Sequence, residues 1–76
     1  MKIIENSECL KEFGNYIKEA RQWRNVTQTE IAQQLGVSQA YYSFIENGER
    51  EVDLVLALKI CQELRLDMRD FITKFL

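Results

Sequence analysis

The side chains with the most intrinsic reactivity in this chain are two thiols, Cys9 and Cys61, and neither has the company that thiol chemistry requires. A nucleophilic cysteine needs a neighbouring base or positive field to hold it as thiolate, and the commonest base is histidine. The sequence has no histidine. That absence removes every Ser-His-Asp and Cys-His arrangement. Acidic side chains are present, but Glu12 and Glu19 alternate with Lys11 and Lys18 on what reads as a solvated face, so they form no acid–base pair. A structural zinc site draws four ligands from Cys and His, and two cysteines without CxxC spacing cannot supply them. The expectation is a protein that is not an enzyme and that needs no metal or cofactor. Both thiols should be free, Cys61 as a small core residue and Cys9 half-buried.

Seventy-six residues make one domain, residues 1–76. With 46% hydrophobic and 29% charged residues, the composition is that of a globular protein. There is no apolar run long enough to span a bilayer, and Lys2-Ile3-Ile4-Glu5 is not a signal peptide, which points to the cytoplasm and away from membranes. The net charge of −2 counts against a polyphosphate partner. The acid is unevenly placed, however. Residues 1–36 and 53–76 are each balanced, and the excess is Glu46, Glu49 and Glu51 against Arg50.

The elements that would position any site are helices. No clean alternation of apolar and polar residues occurs, so strands are not expected. Leu10, Phe13, Ile17 and Ala20 recur at helical spacing behind a Ser7 cap, giving helix 1 over about 8–24, ended by Asn25. Trp23 is expected to bury in the corner between helices 1 and 2. Thr27 and Glu30 form a capping box opening helix 2, about 28–35, with Ile31, Ala32 and Leu35 inward and Gly36 as the left-handed turn. Ser38 caps helix 3, which runs to about Asn47-Gly48, with Val37, Tyr41 or Tyr42, and Ile45 on its apolar face. Asp53 caps helix 4, whose inner stripe is Leu54, Ala57, Leu58, Cys61 and Leu64. Asp67 caps helix 5, with Met68, Phe71, Ile72, Phe75 and Leu76 as its apolar set.

Two short helices joined by a glycine turn, with small Ala32 at the crossing, follow the helix-turn-helix plan, in which the second helix enters the major groove of DNA. The segment Thr27-Gln-Thr-Glu-Ile-Ala-Gln-Gln-Leu-Gly-Val-Ser38, followed by Ser43-Phe-Ile-Glu-Asn-Gly48, resembles the Cro/cI-type (XRE-like) helix-turn-helix family, whose wording is T-Q-x-x-L-A-x-x-x-G-V-S and then x-x-I-S-x-I-E-x-G. Ile17 and Arg21 upstream and Leu54, Leu58, Ile60, Leu64 and Leu66 downstream extend the likeness over about residues 13–71.

The resemblance implies an all-α, five-helix, lambda-repressor-like domain that binds double-stranded DNA as a transcriptional regulator. It implies base reading by Gln39, Ala40, Ser43 and Phe44. Glutamine suits adenine, and an aromatic ring can lie on a thymine methyl. It implies phosphate contacts from Gln28, Tyr41, Asn47 and Arg50, and an ion pair between Arg21 and Glu46 that locks helix 3 to helix 1. Phe44, Glu49, Val52 and Arg65 depart from the family's usual residues at their positions. One recognition helix covers few base pairs, so a homodimer on a palindromic operator is expected, paired through Phe71, Ile72, Phe75 and Leu76 of helix 5. No small-molecule ligand is evident. The other reading is a protein-interaction module or antitoxin-like partner with weak DNA binding.

Overall fold

The computed structural model describes residues 2–4 and 7–75. Strand β1 (Lys2–Ile4) is followed by helices α1 (Ser7–Trp23), α2 (Gln28–Leu35) and α3 (Gln39–Glu46), then strand β2 (Val52–Asp53) and helices α4 (Leu54–Glu63) and α5 (Met68–Phe75). The fold is all-α, as the helical periodicity predicts. The strands are the exception. β1 pairs antiparallel with β2, Lys2 opposite Asp53 and Ile4 opposite Val52, with an irregularity between the pairs. Segments of three and two residues are too short to show alternation, so nothing in their sequence announces pairing.

Three of the four helix–helix connections are one device repeated. Each is a tight linker with a left-handed residue, an apolar residue and then a cap or acidic turn residue: Asn25-Val26-Thr27, Gly36-Val37-Ser38 and Arg65-Leu66-Asp67. The left-handed φ values are 57°, 75° and 55°. In each, the apolar residue donates its backbone N–H back into the finished helix: Val26 to Arg21, Val37 to Ala32 and Leu66 to Cys61, at 3.2, 3.0 and 2.8 Å. This satisfies carbonyls that a helix end leaves without partners and turns the chain sharply. The next helix is then opened by a side-chain oxygen. Thr27 accepts from Glu30 N–H and Ser38 from Tyr41 N–H, each at 3.1 Å, while Asp67 accepts from Arg69 N–H at 2.8 Å. The Thr27–Glu30 capping box is complete on both sides. At the fourth connection Asp53 caps α4 through Leu56 N–H at 2.8 Å.

The core draws Phe13 and Ile17 from α1, Ile31 and Ala32 from α2, Tyr42 and Ile45 from α3, Ala57, Ile60, Cys61 and Leu64 from α4, and Phe71 from α5, all essentially inaccessible. Val52 joins them, which anchors β2. Ile60 completes the inner stripe of α4, whereas Leu54 and Leu58 are only half-buried. Burial pushes the Cys61 thiol up to about 11, so it stays protonated. Neither cysteine is in a disulfide. No helix among the described residues is long and apolar enough to cross a membrane.

Three sequence-based expectations are corrected here. Trp23 does not fill the α1–α2 corner; it is 87% exposed. It lies six residues past Ile17, about 120° round the helix from the buried face. The corner is taken by half-buried Val26 and by Arg21, whose guanidinium donates to the Val26 carbonyl at 2.8 Å. Phe71 is not a surface residue of α5, because its ring packs edge-on against Phe13, centroids 5.9 Å apart. Phe75 is likewise half-buried, 5.4 Å from Phe13 and 5.3 Å from Tyr16. Of the expected dimer residues, Ile72 is the exposed one at 50%, and Leu76 lies outside the described residues.

Candidate nucleic-acid interface

Helix α3 is held to α1 at the point where α1 has no side chain. A methyl group added at Gly14 would collide with the Glu46 carbonyl oxygen and stand 2.8 Å from the Ile45 carbonyl oxygen. Glycine is required there for close approach of two backbones, not for its dihedral freedom. The sequence reading placed the tight crossing at Ala32, which is indeed buried, but did not single out Gly14. A glycine mid-helix costs roughly 0.5–1 kcal/mol relative to alanine, and that cost was the available signal of a packing reason.

Beside this crossing lies the ion pair of Arg21 and Glu46. Arg21 donates from Nε to Glu46 Oε2 at 2.6 Å and from a terminal nitrogen to Oε1 at 3.1 Å. The Glu46 side chain is fully buried and that of Arg21 nearly so. Burial alone would raise the Glu46 pKa, but the hydrogen bonds from Arg21 and Gln28, with the Tyr42 hydroxyl alongside, outweigh it and hold the carboxyl below the ordinary glutamate range. The same hydrogen bond raises Arg21 further. The Tyr42 hydroxyl sits against this pair without completing a well-aligned hydrogen bond of its own, and burial there raises its pKa.

The pair extends outward through two amides. Gln28 Nε2 donates to Glu46 Oε1 at 2.9 Å, and Gln39 Nε2 donates to Gln28 Oε1 at 2.7 Å. Because a carboxylate only accepts, Gln28 must turn its NH₂ inward and its oxygen outward. Gln39 must therefore turn its NH₂ toward Gln28. What remains on Gln39, which is exposed, is its oxygen and its second N–H. That donor–acceptor couple complements the N6 amine and N7 of adenine. Arg21, Gln28 and Glu46, from three helices, thus fix the direction of one exposed amide.

The rest of the outward face of α3 is uncharged. Ala40 is exposed, Ser43 half-buried, and Phe44 is 39% exposed, pointing away from Tyr42 and Ile45. The Asn47-Gly48 turn, with Gly48 at φ 72° and Glu49 N–H donating to the Phe44 carbonyl at 2.9 Å, brings Arg50 back over α3. Its guanidinium lies 5.7 Å from the Phe44 ring centre and 5.9 Å from that of Tyr41, within cation–π range of both. Asn47 is exposed beside them. Two groups therefore form: Gln28 with Gln39, and Tyr41 and Phe44 with Arg50.

One tie escaped the sequence reading. Arg24 Nε donates to the Leu64 carbonyl at 2.6 Å, joining the ends of α1 and α4. Nothing local marks it, since its partner is a backbone oxygen forty residues away.

The hairpin, its two linkers and the buried ion pair are those of a helix-turn-helix regulator, and the chain belongs to the XRE-like helix-turn-helix family, whose model matches residues 17–71. That family consists of DNA-binding transcription regulators. Among curated relatives, the chain is 37% identical over 59 residues to the control protein C.MunI of Mycoplasma sp, covering 76% of this chain and 80% of that one. It is 34% identical over 56 residues to the HTH-type transcriptional regulator YqaF of Bacillus subtilis, covering 74% of each. Among solved structures it is similar to the restriction-modification controller protein C.AhdI of Aeromonas hydrophila, with a TM-score of 0.74 at 31% identity over 80% of this chain and 92% of that one.

Proposed function

We propose that this protein is a cytoplasmic, homodimeric regulator that reads a palindromic operator with α3 in the major groove. The observation that carries this reading is the Gln39 amide, held in one orientation at the start of α3 by the chain through Gln28, Glu46 and Arg21. A reader fixed before binding loses little freedom on contact with a base. Gln39 and Phe44 read bases, adenine and a thymine methyl being the chemical matches, with Ala40 and Ser43 leaving room for the groove floor. Tyr41, Asn47 and Arg50 meet phosphates on either side, and Gln28, whose amide donates inward to Glu46, meets one through its backbone N–H at the start of α2. Stacking of Arg50 on two rings uses the faces of the guanidinium and leaves its N–H donors free.

The net charge of −2 opposes phosphate binding, but one of the carboxylates nearest α3 does not face the DNA. Glu46 is buried and neutralised by Arg21. In a two-fold dimer two copies of α3 enter successive major grooves about 34 Å apart. The pairing surface is the Ile72 side of α5, the exposed part of that helix's apolar set. Kinship with restriction-modification control proteins supports a controller role.

Selection from random duplexes, followed by binding at graded salt, tests the reading. The expected result is a two-fold symmetric site and a log–log salt slope of several units, reduced by about one in Arg50→Ala. Absence of duplex binding at low salt would favour a protein-interaction module instead.

A further inference from the structure

Helix α1 separates its charges by flank. At about 100° per residue, Lys11, Lys18 and Arg21 fall toward α3. Arg21 there bonds Glu46, and the backbone of Lys11 lies against Gly48. Glu12, Tyr16, Glu19 and Trp23, spaced four, three and four residues apart, fall on the other flank. That flank faces α5: Tyr16 donates its hydroxyl to Asp70 at 2.8 Å and its ring lies 5.3 Å from Phe75. Between the helices is an open cleft of about 380 Å³ bounded by Glu12, Asn15, Tyr16, Glu19, Lys74 and Phe75. Its floor is aromatic and its α1 rim acidic. Beyond Glu19, one turn on, stands Trp23, 87% exposed.

We propose that this flank docks a basic amphipathic helix of a partner protein. The charge is complementary: Glu12, Glu19 and Asp70 outnumber Lys74 around the cleft. The floor already accepts a cation, since Lys74 Nζ lies 5.9 Å over the Tyr16 ring. The dimensions select a helix. Glu12 and Glu19 stand about 10 Å apart along α1, and the stripe from Glu12 to Trp23 is about 16 Å long, three helical turns. A partner helix with two lysines or arginines seven residues apart meets both glutamates. An apolar residue between them sits on Tyr16 and Phe75, and one beyond packs on Trp23, the usual anchoring of a helix in a groove. The cleft lies across α1 from α3, so docking does not compete with DNA. It also leaves Ile72 free, because Ile72 is about 160° round α5 from Lys74. The inference goes beyond the DNA-binding reading and does not depend on it.

Trp23 is the chain's single tryptophan, so its fluorescence reports on this flank. The probe is a synthetic 14-residue alanine–glutamine helix carrying two lysines seven apart with leucines between and after them. The expected result is a saturable emission shift at low salt with the full-length protein, and none with a peptide in which glutamate replaces lysine. The double variant Glu12→Gln, Glu19→Gln, altered only at exposed positions, should bind about tenfold more weakly through loss of two surface ion pairs. Glu63→Gln should bind as the parent does. No shift up to millimolar peptide would overturn the proposal. So would equal affinity in the double variant. Binding lost in Phe44→Ala but kept in the double variant would place the peptide on α3 and overturn it equally.

Discussion

The α2–α3 and α4–α5 hairpins are built alike and used differently. Leu35-Gly36-Val37-Ser38 and Leu64-Arg65-Leu66-Asp67 make the same turn with the same backbone hydrogen bonds. They part company in the helix that follows. The outer face of α3 is polar and uncharged, and its base is tied by Gln28, Glu46 and Arg21 to α1. Helix α5 instead inserts Phe71 among aromatic rings, and its only ion pair among the described residues, Arg69 with Asp67, lies at the surface at 3.6 Å. The turn sets the angle between helices. What the second helix does is set by how its first turn is anchored and what it turns outward.

The sharpest test of that contrast removes the cation paired with each hairpin, Arg21 of α1 and Arg69 of α5. Arg21→Ala should cost about 3–5 kcal/mol, because it leaves the buried Glu46 carboxylate without a partner, whereas Arg69→Ala should leave the denaturation midpoint unchanged. A double-mutant cycle with Glu46→Ala should recover part of the loss, and zero coupling would break the comparison. The same pair sets the response to acid. A carboxyl whose folded pKa lies below its unfolded value, about 4.3, stabilises the fold above that pH and ceases to do so as pH falls through the folded value. Stability should therefore drop below about pH 4, and Glu46→Gln should flatten that limb in acid titrations followed by circular dichroism.

Gly14→Ala should be next in size. The methyl collides with backbone that cannot move without shifting α3, at a cost of about 2–3 kcal/mol by urea denaturation. Gln39→Ala should weaken specific binding by about 1–3 kcal/mol and relax preference at one base pair, with the fold unaffected, measurable by binding to a panel of single-base operator variants.

The smallest effects compare the turns themselves. Gly36 and Arg65 share a left-handed backbone, and nothing stands within 4 Å of an added Gly36 Cβ. Gly36→Ala should thus lose about 1 kcal/mol from backbone strain alone, and Arg65→Gly should gain about 0.5–1 kcal/mol. Opposite signs in thermal melts would support equivalence of the two turns; equal signs would deny it.

Local chemistry was the legible part of this sequence. Caps at Thr27 and Ser38, the left-handed positions Asn25 and Gly36, and the inward stripes of α2 and α4 are written within a few residues of where they act. So were Gln28 and Gln39, whose places follow from the motif. Long-range relations were not. Trp23 was misplaced because a large apolar residue at a helix end says nothing about which neighbour has already filled the corner, here Val26 and Arg21. Phe71 and Phe75 were expected at a dimer surface because the aromatic cluster that takes them is completed by Phe13 and Tyr16, more than fifty residues earlier. Gly14 was passed over because its role exists only when α3 is laid across it.

On the proposed reading, the bond between Gln28 and Gln39 makes specificity a property of two positions together. With Gln39 as the proposed base reader, a substitution there exchanges two partners together, the base and Gln28, and a shorter or inverted amide strands the oxygen that Gln28 presents. Anyone wishing to retarget this protein should treat residues 28 and 39 as a single letter of its code and vary them jointly. Single-site libraries at α3 will tend to return weakened copies of the parent, and new preferences will come from paired changes that rebuild the inner contact along with the outer one.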